Sequence, residues 1–185
     1  MLNEVTSELQ SNCQKSIEAL RGELSRVRTG RATPSLLDNI KVPYYGAPSP
    51  LNQVATVAVA DSRLLTITPW EKNLIPEIER AIQASGLGLT PSNDGKLVRL
   101  PIPPLTGERR KELGKQVKKI GEEYKIAIRG HRRDANDTLK LYKEEKEISE
   151  DDYHRGLKNV QEETNTYTKQ VDDIVAVKEQ EIMDF

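Results

Sequence analysis

Residues 107–147 read GERRKELGKQVKKIGEEYKIAIRGHRRDANDTLKLYKEEKE. Within this stretch Lys111, Lys115, Lys118, Lys125, Arg129, Arg132, Arg133, Lys140 and Lys143 recur at steps of three and four residues or their sums. At roughly 100° per residue they fall in a sector about 100° wide. The apolar set Leu113, Val117, Ile120, Tyr124, Ile128, Ala135, Leu139 and Tyr142 lies on the other side. The pattern predicts one helix on the order of 60 Å long, with one face to pack and one to meet negative charge. Thr106 is its candidate N-cap. Gly107, Gly114, Gly121 and Gly130 each weaken it by about 1 kcal/mol relative to Ala, so packing must hold it.

Working outward, two further helices are expected. Val5, Leu9, Cys13, Ile17, Leu20, Leu24 and Val27 form one amphipathic row, with Gly30 as its stop and Pro34 preventing continuation. After Ile148, Ser149 can cap a helix whose acidic first turn suits the positive end of its dipole. That helix carries Tyr153, Leu157, Val160, Tyr167, Val171, Ile174 and Ile182. Three helices with one apolar stripe each most simply form a three-helix bundle.

Residues 31–104 follow a different pattern. All 10 prolines lie between Pro34 and Pro104. Short β-type runs occur at 39–44, 54–59, 64–68 and 96–100, with a turn at Asn93-Asp94-Gly95. Pro76 can open a short helix carrying Ile78, Ala81 and Ile82, ended by Gly86. The fold class is therefore α+β: a long antiparallel three-helix bundle (1–30 and 105–185) with a small β/α/β domain (31–104) inserted between its first and second helices. Proline-rich connections are semi-rigid. Two rigid bodies with a restricted hinge at Gly30-Arg31 and Pro104-Leu105-Thr106-Gly107 are expected.

Composition narrows the function. Of 185 residues, 31% are charged and 4% aromatic. That suits long exposed helices, and scarce rings argue against base-stacking RNA modules. The net charge of −1 hides segregation: residues 105–147 carry 13 basic and 9 acidic groups, residues 148–185 carry 4 and 10. The acidic helix can sit beside the basic one and leave an outer basic edge open. No apolar run approaches the ~18 residues of a membrane span, and neither a membrane span nor a signal peptide is expected. A lone cysteine, Cys13, fits the apolar stripe and a reducing, cytoplasmic setting. His131 and His154 lack ligand spacing, so no metal is expected. Gly86-Leu87-Gly88 lacks a third glycine and Gly95-Lys96 lacks the phosphate-loop spacing, so no nucleotide cofactor is expected either. Asp151-Asp152 and Asp172-Asp173 read as helix-end and solvated-face carboxylates, not an acid–base pair. The chain is expected not to be an enzyme.

Several motifs, in order, carry a resemblance. They are residues 28–32 (RTGRA), 34–38 (PSLLD), 44–46 (YYG), 101–106 (PIPPLT), 108–113 (ERRKEL), 132–137 (RRDAND) and 146–152 (KEISEDD). With these the chain closely resembles the bacterial ribosome recycling factor family, nearly end to end. The resemblance implies an L-shaped molecule that binds the post-termination ribosome between the subunits. With elongation factor G and GTP it splits the ribosome for another round of initiation. It implies that the bundle binds large-subunit rRNA and that the small domain faces the translocase and swings. The family's ribosome-binding arginine carries onto Arg132, flanked by Arg129 and Arg133. Arg28 and Arg31 match its other rRNA-contacting pair, and Arg110 and Lys118 complete the expected set. Both arginine groups are expected on one rRNA surface. A guanidinium stays charged and can grip phosphate through two parallel hydrogen bonds, which positions a protein on RNA without reading sequence. The chain departs from the family pattern at Gly107, usually acidic, and His131, usually aliphatic. Gly107 is expected to loosen the helix start.

The partners expected are thus the ribosome and elongation factor G, with no membrane and no DNA, the factor acting as a monomer. Asp61-Ser62-Arg63 is a candidate partner loop on position alone. Lys140 and Lys143 are expected to be solvated, paired with Glu144, Glu145 and Glu147. The alternative reading is a helical-bundle scaffold that binds an acidic partner. It explains the stripes but neither the proline-bounded insertion nor the arginine triplet.

Overall fold

The computed structural model of the chain describes residues 1–184; Phe185, inside the expected bundle range, lies outside the described residues. Its helices are α1 (Leu2–Ser25), α2 (Ile75–Ala84), α3 (Gly107–Glu144) and α4 (Glu150–Asp184). Its strands are β1 (Lys41–Tyr44), β2 (Ala47–Pro50), β3 (Ala55–Asp61), β4 (Leu64–Pro69), β5 (Ser92–Asn93) and β6 (Val98–Pro101). The chain divides into two compact units, Met1–Arg28 with Gly107–Asp184, and Thr29–Thr106.

The first unit packs α1, α3 and α4 on their apolar rows. Val5, Leu9, Cys13, Ile17, Leu20 and Leu24 of α1 are all buried, as are Leu113, Val117, Ile120, Ile128, Ala135 and Leu139 of α3. Val160, Val171 and Ile182 answer from α4. Each fully buried Leu or Ile contributes about 1.5–3 kcal/mol, which outweighs the weak intrinsic propensity of α3. Gly121 has a packing reason as well: a Cβ there would meet Val175 Cγ2 at 2.6 Å. It lets α3 and α4 approach closely. Ser16 Oγ lies 3.1 Å from His131 Nε2, and the Tyr124 hydroxyl donates to Glu23 Oε2 at 2.9 Å. These two contacts set α1 antiparallel to α3. They also give His131 a place, as a tie between two helices.

The helix ends differ from expectation in two places. α1 closes at Ser25, where the Arg26 and Val27 amides bond back to Glu23 and Leu24. Gly30 does not stop it; at φ +78° it serves the turn that follows. α3 stops at Glu144, not Glu147. The Lys146 amide bonds to Lys143 O at 3.0 Å and the Glu147 amide to Tyr142 O at 2.8 Å, with Lys146 at φ +60°. This is the double back-bond that normally uses glycine at its left-handed position, so a lysine there hides the stop. Ser149 caps α4 as expected, its Oγ accepting from the Asp152 amide at 3.0 Å.

The second unit holds an antiparallel β1–β2 hairpin and a four-stranded antiparallel sheet ordered β3-β4-β6-β5. Tyr45 and Gly46, both at positive φ, make the tight hairpin turn. Strand β2 lies outside the expected runs, because two prolines in four residues read against a strand. In the observed register the prolines fall in alternate pairs, Pro43↔Pro48 and Lys41↔Pro50, where an antiparallel ladder needs no donors. Helix α2 turns Ile75, Ile78 and Ile82 onto a core with Val42, Leu65, Ile67, Val98 and Leu100. Asp94 accepts from the Leu97 and Lys96 amides; these bonds, Leu97 first, hold its carboxyl below the usual range.

Candidate functional site

The basic face of α3 is divided by α4, which runs antiparallel to it. Lys118 Nζ lies 3.3 Å from Glu179, Lys125 Nζ 3.0 Å from Asp172, and Lys143 Nζ 2.9 Å from Glu150. Lys125 is the most enclosed, its side chain 17% exposed, and also reaches Glu122. Hydrogen bonds to Glu122, then Asp172, raise its pKa above the lysine value. Glu150 does the same for Lys143, which also lies 4.7 Å over the Tyr153 ring. Lys143 is thus engaged across the turn to α4, not with Glu144, Glu145 or Glu147, because the tight turn brings Glu150 within reach. Lys140 does lie 3.9 Å from Glu144.

The outward edge differs. Lys111, Lys115, Arg129 and Arg133 are exposed and form no hydrogen bond or ion pair among the described residues. They make two i, i+4 pairs whose centres lie about 27 Å apart along the helix. Arg132 stands on the α4 side, half-buried, with Nη1 donating to Gln161 Oε1 of α4 at 3.1 Å. The 129–133 group is therefore a local concentration of charge on a stiff rod, about 35 Å from the start of α3. Such a surface attracts polyanions.

The other expected residues are distributed more widely. The α1–α3 contacts put the end of α1, at Ser25, nine residues past the level of His131, about 14 Å along the bundle, and Arg28 follows beyond that end. Arg31 belongs to the other unit. Arg110 donates to the carbonyl of Met183 in the last turn of α4, the end where a cation is favoured. Lys118 is exposed but paired with Glu179. The structure brings together Arg129, Arg132 and Arg133 and does not bring Arg28 or Arg110 beside them.

In the inserted unit the Asp61–Arg63 turn has a structural task. The Ser62 carbonyl accepts from the Ala32 amide and the Arg63 carbonyl from the Ile102 amide, each at 2.8 Å. The turn thereby pins the entering and leaving segments of the unit to each other. At the other end of β4, Tyr44 and Tyr45 stack edge to face at 4.5 Å and both donate to Glu71. Tyr45 is 83% exposed and Trp70 66%. Among the described residues no three His, Cys, Asp or Glu side chains group as metal ligands, and no helix is long and apolar enough to cross a membrane.

Comparison with known proteins identifies the architecture. The family model described as Ribosome recycling factor matches residues 20–183. A ribosome-recycling factor of Desulfotalea psychrophila is 55% identical over 183 residues, 99% of this chain and all of that protein. One from Myxococcus xanthus is 50% identical over 184 residues, the whole of both chains. A solution structure of the ribosome recycling factor superposes with a TM-score of 0.74 at 35% identity, covering 100% of this chain and 98% of that one. A second similar structure comes from models of the T. thermophilus ribosome recycling factor and the E. coli elongation factor G bound to the E. coli post-termination complex. Its TM-score is 0.63 at 46% identity, with 98% of each chain covered. A bundle with a proline-bounded insertion, matched from end to end in sequence and in structure, leaves one conclusion: the chain belongs to the ribosome recycling factor family.

Proposed function

We propose that this chain is a translation factor that binds the post-termination ribosome and, with elongation factor G and GTP, splits it into subunits for recycling. The observation that carries the reading is the arginine group on α3, which no carboxylate neutralises among the described residues. Arg129 and Arg133 have no acidic partner among the described residues, and Arg132 meets only a neutral amide. Such guanidinium groups suit phosphates of large-subunit rRNA, which they grip without reading bases. Family membership and a relative bound with elongation factor G to the post-termination complex support the same reading.

The chain acts mechanically, in the cytoplasm and as a monomer, with no catalytic step of its own. The bundle anchors and the GTPase pushes the inserted domain. The pivot lies at Gly30-Arg31 and at Pro104 to Gly107. Supporting this, Ala32 and Ile102 are both hydrogen-bonded to the 61–63 turn, so bending belongs outside them. Arg28, Arg31, Arg110 and Lys118 serve as further rRNA contacts along the bundle and its junction.

The test is ribosome splitting followed by light scattering, with the factor, elongation factor G and GTP added singly and together. Splitting only when all are present supports the reading; undiminished splitting without the factor contradicts it. Binding to large subunits also weakens as salt rises, because phosphate contacts release counterions.

A further inference from the structure

The geometry points to Gln161 as a positioning residue that aims the Arg132 guanidinium at phosphate while leaving its charge intact, an inference that rests on the rRNA-binding reading above. Four cations of α3 meet side chains of α4. Lys118, Lys125 and Lys143 each find a carboxylate there. Arg132 finds an amide oxygen, Gln161 Oε1, at 3.1 Å. No acid sits a turn away from Arg132 on α3, where the neighbours are Ile128, Arg129, Ala135 and Asn136. None sits a turn away from Gln161 on α4, at Leu157, Lys158, Thr164 or Asn165. Glu162 and Glu163 occupy the same turn but line a cleft with Asn3, Thr6 and Gln10 of α1, so the face of α4 that meets Arg132 carries no carboxylate at this level.

The amide is itself oriented. Gln161 Nε2 donates to Asn165 Oδ1 at 2.8 Å, which leaves the carbonyl end to face Arg132. A flipped amide would set its two donors against guanidinium donors and lose both bonds. Asn165 fixes Gln161, and Gln161 fixes Arg132. On the inner side Arg132 Nε is buried and has no hydrogen-bond partner, as does Asn136 Oδ1 one helical turn along. One edge of the fork is thus turned into the protein and a second is held by Gln161, so the guanidinium is constrained before any ligand arrives. A group held in its binding geometry forfeits less freedom on association. A carboxylate at 161 would hold the guanidinium equally well but would pair with it, and the attraction for a phosphate would be offset.

Full-length Gln161→Glu, Gln161→Ala and Arg132→Ala, and each Gln161 variant combined with Arg132→Ala, are compared by co-sedimentation with large ribosomal subunits over a range of salt. Thermal melts by circular dichroism check the bundle. Gln161→Glu is expected to weaken binding about tenfold and to flatten the salt dependence by about one phosphate contact. Gln161→Ala keeps the charge, so it is expected to weaken binding less and leave the salt dependence as steep. Once Arg132 is alanine, Gln161→Ala no longer alters affinity, and Gln161→Glu keeps only the smaller general repulsion between an added carboxylate and phosphate. Equal losses with and without Arg132 would mean a packing role and overturn the inference. Arg132→Ala weakening binding while Gln161→Glu does not would overturn it and leave the rRNA reading standing. If Arg132→Ala itself has no effect, the rRNA role of that arginine falls, and the positioning role with it.

Discussion

On the α4 side of α3, Lys118, Lys125 and Lys143 each lie within 3.3 Å of a carboxylate. On the outward side Lys111, Lys115, Arg129 and Arg133 pair with nothing among the described residues. In sequence these residues form one stripe. In the folded bundle they form two populations, one fastening α3 to α4 and one presenting charge to a partner. A basic helical face is thus not a single binding surface: its working part is what the neighbouring helix leaves unneutralised.

The arginine group can be removed directly, the outward Arg129 and Arg133 together with Arg132, which α4 holds but does not neutralise. Arg129→Ala, Arg132→Ala and Arg133→Ala together are expected to cost roughly 4 kcal/mol of affinity for large subunits. This allows about 1.5 kcal/mol per charged hydrogen bond and some non-additivity between neighbours. The melting curve should remain that of the native bundle. The readout is co-sedimentation alongside circular dichroism.

The inward population depends on how closely α3 and α4 approach. Gly121→Leu places side-chain atoms where Val175 Cγ2 already lies 2.6 Å from an added Cβ. Overpacking of this kind destabilises by about 3 kcal/mol. Urea unfolding should show the loss.

A third change sharpens the contrast between the two populations and the core beneath them. Burial, then the charge of Glu163, pushes the Cys13 thiol from 9.0 up to about 11. The unfolded chain releases this proton near its ordinary pKa while the folded chain holds it. The unfolded state therefore binds fewer protons between about pH 9 and 11, and stability falls across that window by on the order of 2 kcal/mol. Cys13→Ala should flatten the fall in urea titrations at stepped pH without altering affinity for subunits at neutral pH.

Much of this fold is legible in the sequence because helices declare themselves by period. The α1 row from Val5 to Leu24 is buried as its spacing predicts, and Ser149 caps α4 by local chemistry alone. What escapes has either no local signal or a misleading one. Strand β2 is disguised by Pro48 and Pro50, and their register makes them harmless. The end of α3 is hidden because Lys146 occupies a position where glycine would have marked it. His131 makes sense only against Ser16, 115 residues away in sequence. The arginine cluster was visible as a pattern. Which of its neighbours are neutralised was not, because that depends on the register of α4 against α3. Gln161 carried no signal in sequence at all, since an exposed glutamine on a helix is unremarkable until its partner is known.

The most direct test of the central claim compares salt dependence between the two edges. Affinity for large subunits is measured against salt concentration for the native chain, for an outward variant (Arg129→Ala with Arg133→Ala) and for an inward variant (Lys125→Ala with Lys143→Ala). Two lost phosphate contacts should make the log–log slope shallower by about 1.5 in the outward variant, and the inward variant should keep the native slope. Equal flattening in both variants, or none in the outward one, would contradict the account.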